Sequence, residues 1–403
     1  MNAENTYDVI VVGAGVVGCS IAYHLTAAGL KTALLEQRHV GAGASGANFG
    51  MVQTNDVELK HSIPLVTASF ARFETLEEEL GMPLEFRHIG ALRLLTSEAQ
   101  LREAQERLRV LPAAGIPYEF VPAERVQEIE PFVPAGRLFG ALYSSRQGQI
   151  NPFLLMWGYL RRALAQGLAL HTFCEVSGFE VAGGRLRGVQ TSRGSFSAGQ
   201  VVLATAAWTR RLGGLLGRDW AIHTFRASAM ITEAANHLHL RTILTAADVI
   251  ELPIAGSEDS ELTTLALRQT PEGHLLIAQA DRNGESLSSE VSHVAPKAIA
   301  RLAQQHFPAL RPVHVRRAWT APTTFVADGC PFLGRVEHVE GLILATAFRS
   351  ALVNAPIAGE IVRDLVLHGH CEKIDIRPFS PQRRIEQPRD GRMSYSAIQE
   401  RDQ

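Results

Sequence analysis

The apolar positions near the start of the chain predict a strand, a helix and a second strand in close succession. Residues 7–12 form a β-branched run, which is typical of a strand buried on both faces. The glycine-rich segment 13–18 follows at once and begins a helix, which Gly29 is placed to end. Residues 32–35 form the next strand. Together these elements make one βαβ unit, so we expect an α/β fold with a parallel sheet.

Beyond this unit the pattern changes between helical and strand-like periods. Apolar side chains recur at intervals of three and four from Leu59 to Leu80, which predicts an amphipathic helix. Asn151 and Pro152 predict another helix start, because asparagine caps helices and proline suits the first helical position. Further strands are predicted at 86–95, within 168–203 and 220–291, and at 313–317 and 342–345, and further helices at 97–110, 297–306 and 357–367.

Three glycines between the first strand and the helix have the spacing of a dinucleotide-binding turn. Gly13 allows the tight turn, Gly15 lets a pyrophosphate approach the backbone, and Gly18 lets the helix pack closely on the strand. The first helical turn, with Val16 and Val17, presents unpaired N–H groups that attract phosphates. A chance glycine-rich turn in an unrelated α/β protein is the alternative interpretation.

An acidic residue at the end of the second strand fits the same interpretation. Glu36 is placed to accept hydrogen bonds from the ribose hydroxyls of a dinucleotide, and its charge would repel a 2′-phosphate, so NADP is not expected. We assign Gln37 and Arg38, which follow directly, to the same binding site. This unit alone does not distinguish FAD from NAD.

The order of the later segments favours FAD. A nicotinamide-dependent dehydrogenase normally continues into further βα units of one sheet. This chain instead passes into a loop rich in glycine, alanine and serine at 41–50, then into strand-rich segments, and returns to apolar strands near 201–204 and 342–345. Such a discontinuous pattern suits a flavin, whose long body extends from the first βαβ unit into a second domain.

Composition narrows the class of protein further. Hydrophobic residues make up 46% of the 403 positions and charged residues 20%, which allows a large core and excludes global disorder. The net charge of −2 provides no basic field for a nucleic acid, so we expect no nucleic-acid partner. No run of consecutive apolar residues in the sequence approaches the length of about 18 that a transmembrane helix needs.

The cysteines and histidines predict no metal site. The histidine pairs 237/239 and 368/370 have the spacing of ligands but show no third ligand. The cysteines are widely separated, which supports neither a zinc site nor an iron–sulfur cluster and suggests a reduced, cytoplasmic protein. They are Cys19, Cys174, Cys330 and Cys371.

Four blocks of sequence, 11–36, 43–51, 201–208 and 341–359, carry a resemblance to a known family. In this order they resemble the FAD-dependent amino-acid oxidoreductases of the D-amino-acid oxidase superfamily. The chain is most similar to the branch that contains glycine oxidase, the sarcosine oxidase β chain, opine oxidase and hydrogen cyanide synthase. The resemblance extends from about residue 7 to 380. It implies FAD as cofactor.

The resemblance also implies roles for individual residues. Arg349 would face the substrate carboxylate, and Met51 and Thr323 complete the predicted catalytic residues. The implied FAD contacts outside the glycine turn are Ala44, Ser45, Asn48, Phe49, Gly50, Met51, Val176, Ala206, Trp208, Phe348, Arg349, Ser350, Ala351 and Leu352.

The chain departs from the family pattern at the substrate. Many relatives have a carboxylate-binding arginine at the position of Thr323, so either Arg349 takes over this role or the substrate is held differently. Position 321 is not cysteine and position 152 is not histidine, where covalent flavin attachment would be expected, so we expect non-covalent FAD. Arg268 could project into the pocket or lie on a solvated strand face.

The expected domain organisation is a mixed α/β (α+β) fold. A discontinuous, Rossmann-like FAD-binding domain would carry an inserted, strand-rich substrate domain. The expected FAD-binding segments are 1–85, 138–218 and 320–380, the substrate segments are 86–137 and 219–319, and 381–403 is expected to be a polar, partly disordered tail.

The expected reaction is oxidation of the C–N bond of a small amino or imino acid by hydride transfer to flavin N5. Candidates are glycine, sarcosine, D-proline or hydroxyproline, and opines. No lysine lies between Lys60 and Lys297 to provide a point charge that promotes reaction with oxygen. We therefore expect the substrate-oxidising subunit of a hetero-oligomeric dehydrogenase, with partner subunits that accept electrons. The alternatives are a self-sufficient oxidase that forms hydrogen peroxide and an accessory flavoprotein subunit; an NAD-linked dehydrogenase is the weakest alternative.

Overall fold

The computed structural model describes residues 5–54, 57–134, 136, 138–253, 260–284 and 286–385. Most of the predicted tail, residues 386–403, lies outside the described residues, so the expectation for it stays a prediction. Within the described ranges, no helix is both long enough and apolar enough to cross a membrane.

The helices and strands follow the predicted order of a βαβ unit and later strand-rich segments. The helices are α1 (Val16–Ala27), α2 (Ile63–Phe73), α3 (Leu76–Leu80), α4 (Glu98–Ala113), α5 (Val126–Ile129), α6 (Pro152–Ala165), α7 (Thr209–Gly214), α8 (Ala295–His306) and α9 (Ala351–His368). The strands are β1 (Thr6–Val12), β2 (Thr32–Leu35), β3 (Met51–Val52), β4 (Arg87–His88), β5 (Ala91–Leu95), β6 (Glu119–Val121), β7 (Gly140–Ser144), β8 (Gly148–Gln149), β9 (Ala169–His171), β10 (Val176–Ala182), β11 (Arg185–Thr191), β12 (Gly194–Leu203), β13 (His223–Ala234), β14 (Ile243–Pro253), β15 (Ser260–Gln269), β16 (His274–Asn283), β17 (Val315–Phe325), β18 (Phe332–Arg335) and β19 (Leu342–Thr346).

The first sheet contains the predicted parallel unit. Its strand order is β10-β11-β12-β1-β2-β9, and β19 pairs with β12 and with β18. Strand β1 pairs in parallel with β2 and β12, and β12 pairs in parallel with β19. The apolar side chains of β1 are buried on both sides, which is why this run reads as continuously hydrophobic. Helix α1 packs against α6 and α9.

The second sheet is built from the strand-rich segments. Its order is β17-β13-β16-β15-β14-β5-β7-β6, and its pairs are antiparallel except for β5 with β14. Helix α8 packs against it. A small third sheet has the order β3-β8-β4. The mixed α/β class and the Rossmann-like first sheet are as expected.

Two predicted elements are divided in the structure. The amphipathic helix expected from Leu59 to Leu80 is two helices: α2 ends at Phe73, and α3 begins at Leu76. The strand expected at 86–95 is divided into β4 and β5. Gly90 lies between them with φ +71°, and a Cβ there would approach the ring of Tyr143 to 2.8 Å.

Two strands do not follow the expected domain boundaries. Strand β7 lies in the segment 138–218 assigned to FAD binding, yet it pairs with β5 and β6 in the second sheet. Strand β17 likewise crosses the expected boundary at residue 320. Apolar periodicity shows that a segment is a strand but carries no information on its partner. The division into two domains stays a prediction with these changes.

Candidate active site

The turn between β1 and α1, called here the cofactor cradle (residues 13–18), is closely packed from behind. A Cβ on Gly13 would lie 2.6 Å from the carbonyl oxygen of Ala204, and one on Gly18 would lie 1.8 Å from the carbonyl oxygen of Gly13. The α1 helix begins after Gly15, which provides no side-chain cap. The positive end of the helix therefore faces the open side of the turn, where a pyrophosphate fits.

Glu36 closes the cradle at the end of β2. One carboxylate oxygen accepts a hydrogen bond from the backbone N–H of Ala14 at 2.9 Å, and the other accepts one from the backbone N–H of Arg38 at 2.9 Å. A carboxylate has about four lone-pair positions, so these contacts are compatible with ribose hydroxyls as further donors. Glu36 is almost fully buried and lines the cavity described below.

The loop 41–50, called here the cofactor loop, lies beside the cradle and is held to it. The hydroxyl oxygen of Ser45 accepts a hydrogen bond from the backbone N–H of Val16 at 3.0 Å. The side-chain oxygen of Asn48 accepts one from the backbone N–H of Gly50 at 2.6 Å. A Cβ on Gly15 would lie 2.9 Å from the Ser45 hydroxyl, so cradle and loop leave no room for a side chain at that position.

Two side chains of the second sheet hold the cofactor loop from the other side. The guanidinium of Arg268 on β15 donates to the carbonyl oxygen of Phe49 and, at 2.8 Å, to the side-chain oxygen of Gln149. The indole N–H of Trp319 on β17 donates to the carbonyl oxygen of Ala47 at 2.8 Å. Arg268 is buried, so it lies neither on a solvated face nor on the cavity wall: it positions the loop.

One long cavity connects the cradle with the second sheet. Its wall includes the predicted residues of the glycine turn, the cofactor loop, the later strands and the 348–352 segment. These residues are Gly13, Gly15, Val16, Val17, Glu36, Gln37, Arg38, Ala44, Ser45, Asn48, Phe49, Met51, Val176, Ala206, Trp208, Thr323, Phe348, Arg349, Ser350, Ala351 and Leu352.

Two predicted cofactor residues are not on this wall. Gly18 packs against the backbone of Gly13. A Cβ on Gly50, which has φ +74°, would lie 2.2 Å from the carbonyl oxygen of Ile150 and 2.9 Å from Arg268. Both glycines shape the site through backbone packing. For Gly18 this is the close packing expected from the sequence, and for Gly50 a direct contact with the cofactor stays a prediction.

At the cradle end, the wall also carries an ion pair that the sequence did not indicate. Arg211 lies 3.0 Å from the carboxylate of Glu175, and both side chains line the cavity near Val176. Cys174 lies beside them on the wall. This end therefore has the mixed polar and apolar surface that an adenosine group requires.

At the other end, the face of the second sheet forms the wall. Thr323 on β17 is in register with Phe225 on β13, and both line the cavity. Many of the neighbouring side chains on this wall are small. The small ones are Ala227, Ser228, Ala229, Thr245, Ala246, Thr264, Ala266 and Ala321.

Arg93 on β5 is a wall residue that the sequence patterns did not single out. It is 3% exposed, and its guanidinium forms an ion pair of 2.8 Å with Glu103 on α4. Arg107, one turn further along α4, lies 3.4 Å from the same carboxylate. The sequence did contain an indication of this residue: an arginine between two leucines in a short apolar strand is unusual, because burying an isolated charge is costly.

Arg107 lies within electrostatic reach of both Arg93 and Arg349. The pKa of Arg107 is lowered mainly by burial, and the charges of Arg93 and Arg349 lower it further, while Glu103 opposes them. Arg93 and Arg349 both line the cavity, and Arg107 lies behind them. The cavity wall therefore carries two arginines, Arg93 and Arg349.

A dinucleotide cradle on a parallel sheet, joined by one cavity to a strand-rich second sheet, defines a flavin-dependent oxidoreductase fold. The chain belongs to the family described as FAD dependent oxidoreductase (DAO), whose sequence model matches residues 8–365. This confirms the resemblance that the four sequence blocks indicated, and with it FAD as the cofactor.

Individual relatives cover nearly the whole chain. The glycine oxidase of Geobacillus kaustophilus (strain HTA426) is 26% identical over 388 residues, which is 94% of this chain and 97% of the relative. The sarcosine oxidase beta chain of Arthrobacter sp. is 26% identical over 339 residues, 82% and 80% of the two chains. The crystal structure of L-proline dehydrogenase from P. horikoshii superposes with a TM-score of 0.84 at 21% identity, covering 94% and 97%.

Proposed function

We propose that this protein oxidises the C–N bond of a small amino or imino acid with FAD as the electron acceptor. The observation that carries the proposal is the single cavity from the dinucleotide cradle to a wall that bears Arg93 and Arg349. FAD is long enough to extend along such a cavity from the cradle. Its redox ring would then face the small side chains of the second sheet, where arginines suit a carboxylate substrate.

The reaction has a simple balance of atoms and electrons. When bound, FAD would supply the two-electron oxidation, in which a hydride leaves the carbon beside the substrate nitrogen. The nitrogen lone pair then forms the C=N bond of an imine, and the amine proton is released to solvent. Water adds to the imine, the C–N bond breaks, and an oxo acid and an amine are formed.

The residues of this chain bind and orient the substrate. Arg349 would hold the carboxylate by a charge-assisted, bidentate contact. Because nearby positive charges disfavour a protonated amine, the arginines would favour the neutral, reactive form of the bound substrate. Met51 and Thr323 also line this cavity and would limit how the substrate can lie.

The relatives support this substrate class. The names glycine oxidase, sarcosine oxidase and L-proline dehydrogenase each refer to a small amino or imino acid. The family resemblance implies a carboxylate-binding arginine at the position of Thr323, so the proposal depends on Arg349 for this contact. We also propose that FAD is bound non-covalently.

We further propose that a partner subunit accepts the electrons. The similarity to the beta chain of a sarcosine oxidase supports this view, since that name describes one chain of an assembly. The similarity to glycine oxidase favours the alternative, a self-sufficient oxidase. Stopped-flow reoxidation of the reduced protein distinguishes them: reoxidation by air as fast as reduction by substrate, with stoichiometric peroxide, would support the oxidase. A cytoplasmic location stays a prediction.

The proposed reaction can be tested without knowledge of the substrate. The purified protein is mixed anaerobically with glycine, sarcosine, D-proline, hydroxyproline, iminodiacetate and opines, and the flavin absorbance near 450 nm is followed, as is usual for flavins. Bleaching by at least one of these compounds is expected. If FAD is bound and none of them bleaches it or perturbs its spectrum, the proposed function is wrong.

A further inference from the structure

Gln279 on β16 is a polar residue of the cavity wall to which the substrate contacts proposed above give no role. Leu275 and Ile277 on the same strand belong to the apolar cluster that β16 forms with α8, on the other face of the sheet. Regular alternation along the strand would place residue 279 on that face as well. The structure instead places Ala280 in the apolar cluster and Gln279 on the cavity wall.

A shift in strand register accounts for this placement. Ala278 pairs with Ala229 on β13, and Ala280 pairs with the preceding residue, Ser228, so Gln279 falls between two paired positions. The ladder between β16 and β15 is also shifted at this point. Bulges of this kind turn a side chain to a new direction and are frequent beside active sites.

The amide group of Gln279 is held in one orientation by Asp281. Its nitrogen, Nε2, donates to the two carboxylate oxygens of Asp281 at 2.7 and 2.8 Å. An ionised carboxylate only accepts hydrogen bonds, so the nitrogen of the amide, and not its oxygen, must face Asp281. Asp281 is buried, and its charge polarises the amide, which makes the amide oxygen Oε1 a stronger acceptor.

The oxygen of this fixed amide is available to a ligand in the cavity. Among the described residues, none donates a hydrogen bond to Oε1 of Gln279. The proposed substrate has one suitable donor, which is the N–H of its neutral amine. An amide accepts this hydrogen bond without placing a negative charge in contact with the amine, which would favour the protonated, unreactive form.

We propose that Oε1 of Gln279 accepts a hydrogen bond from the N–H of the substrate amine. The substrate class is then a primary or secondary amine, which keeps an N–H in its neutral form, and not a tertiary amine, which keeps none. The hydrogen bond orients the nitrogen so that its lone pair can form the C=N bond as the hydride leaves. This inference rests on the proposed function and specifies its substrate.

The first test compares isomers that differ in the N–H. N-ethylglycine and N,N-dimethylglycine contain the same atoms, as do D-pipecolate and N-methyl-D-proline, but only the first member of each pair is a secondary amine. The second-order rate constant of flavin reduction is measured by anaerobic stopped flow, because reduction reports on the neutral amine. We expect the secondary amine to react at least ~10-fold faster than its isomer. Equal rates, or a faster tertiary amine, would overturn the proposal.

The second test uses Gln279→Met with Gln269→Met as a matched control. Both glutamines are half-buried in the second sheet, but Gln269 on β15 binds only backbone groups and does not line the cavity. Gln279→Met is expected to slow the secondary amine about tenfold and the tertiary amine less than about threefold. Gln269→Met is expected to keep the preference for the secondary amine. Equal slowing of both isomers in Gln279→Met, or the same selective loss in Gln269→Met, would show a purely structural role.

FAD content and thermal unfolding of each variant are measured first, so that a misfolded variant is recognised and the first test then decides alone. If neither pair of isomers reduces the flavin, the compound that does so is compared with its own N-methyl derivative. The outcomes also separate the two proposals. If amino or imino acids reduce the flavin equally well with and without an N–H, only the inference about Gln279 fails. If none of them reduces or perturbs the flavin, the proposed function itself fails.

Discussion

Arg268 supports the cofactor loop from the second sheet, and Arg268→Met removes this support while keeping an unbranched stem. Its Nε donates to the carbonyl oxygen of Phe49, and its Nη1 donates to Oε1 of Gln149 at 2.8 Å. The residue is only 6% exposed, so both hydrogen bonds are out of water. The substitution should therefore destabilise the loop and weaken FAD binding.

The size of the effect follows from two opposing contributions. Two charge-assisted hydrogen bonds stabilise the folded state by roughly 3–6 kcal/mol. Burial lowers the pKa of Arg268 to about 10 from an ordinary 12.5, which corresponds to a cost of about 3 kcal/mol for keeping the charge. Methionine removes both contributions and leaves the Phe49 carbonyl without this donor. We expect a loss of about 2 kcal/mol in the free energy of unfolding and about a tenfold rise in the Kd for FAD.

The assay is urea unfolding of the apoprotein together with titration of FAD by quenching of its fluorescence. Arg316→Met is the matched control. Arg316 on β17 is exposed, and its ion pair with Glu233 is long at 3.7 Å, so its loss should cost less than about 0.5 kcal/mol. Trp319→Phe removes one neutral hydrogen bond to the same loop and should cost about 1 kcal/mol. If Arg268→Met resembles the Arg316 variant in both measurements, the supporting role is refuted.

Three further predictions concern the cradle, the substrate and the core. Gly18→Ala places a Cβ 1.8 Å from a backbone oxygen, so it should lower the free energy of unfolding by at least about 1–3 kcal/mol and yield little FAD-loaded protein. Gly199→Ala is the control, because a Cβ there meets open space, and this variant should keep its stability and its FAD. Equal flavin content in the two variants would contradict the prediction. Arg349→Lys should keep FAD but slow anaerobic flavin reduction roughly 30-fold or more, with Arg349→Ala slower still; unchanged rates would remove Arg349 from the site. Burial, aided by neighbouring cations, lowers the pKa of His24 from 6.5 to about 3. Between these pH values only the unfolded state gains a proton, which favours unfolding. The contribution of His24 to the free energy of unfolding should therefore be fully present above pH 6.5 and fall by about 4–5 kcal/mol toward pH 3. Urea unfolding from pH 8 to 4 measures this, and His24→Asn should reduce the slope; the same slope in both proteins would show that His24 is not its source.

Several parts of the site could be predicted from the sequence because their cause is local. The GxGxxG spacing reflects steric contacts within one turn and its helix, as the near contact of Gly18 with Gly13 shows. Glu36 ends the next strand of the same unit, so its position follows from parallel pairing of β1 and β2. The family resemblance implied five residues of the cofactor loop, and of these Ala44, Ser45, Asn48 and Phe49 line the cavity while Gly50 does not.

Only the tertiary structure decided which distant strands complete the site. Arg93, Arg268 and Trp319 belong to three different strands of the second sheet, and nothing in their local sequence states the register that turns each toward or away from the cavity. The assignment of β7 to the second sheet has the same origin. Strand pairing depends on long-range backbone hydrogen bonds, and a shift by one residue would turn every side chain to the other face. The dinucleotide end of this protein is therefore determined by its local sequence, while the substrate end is determined by how the sheet assembles.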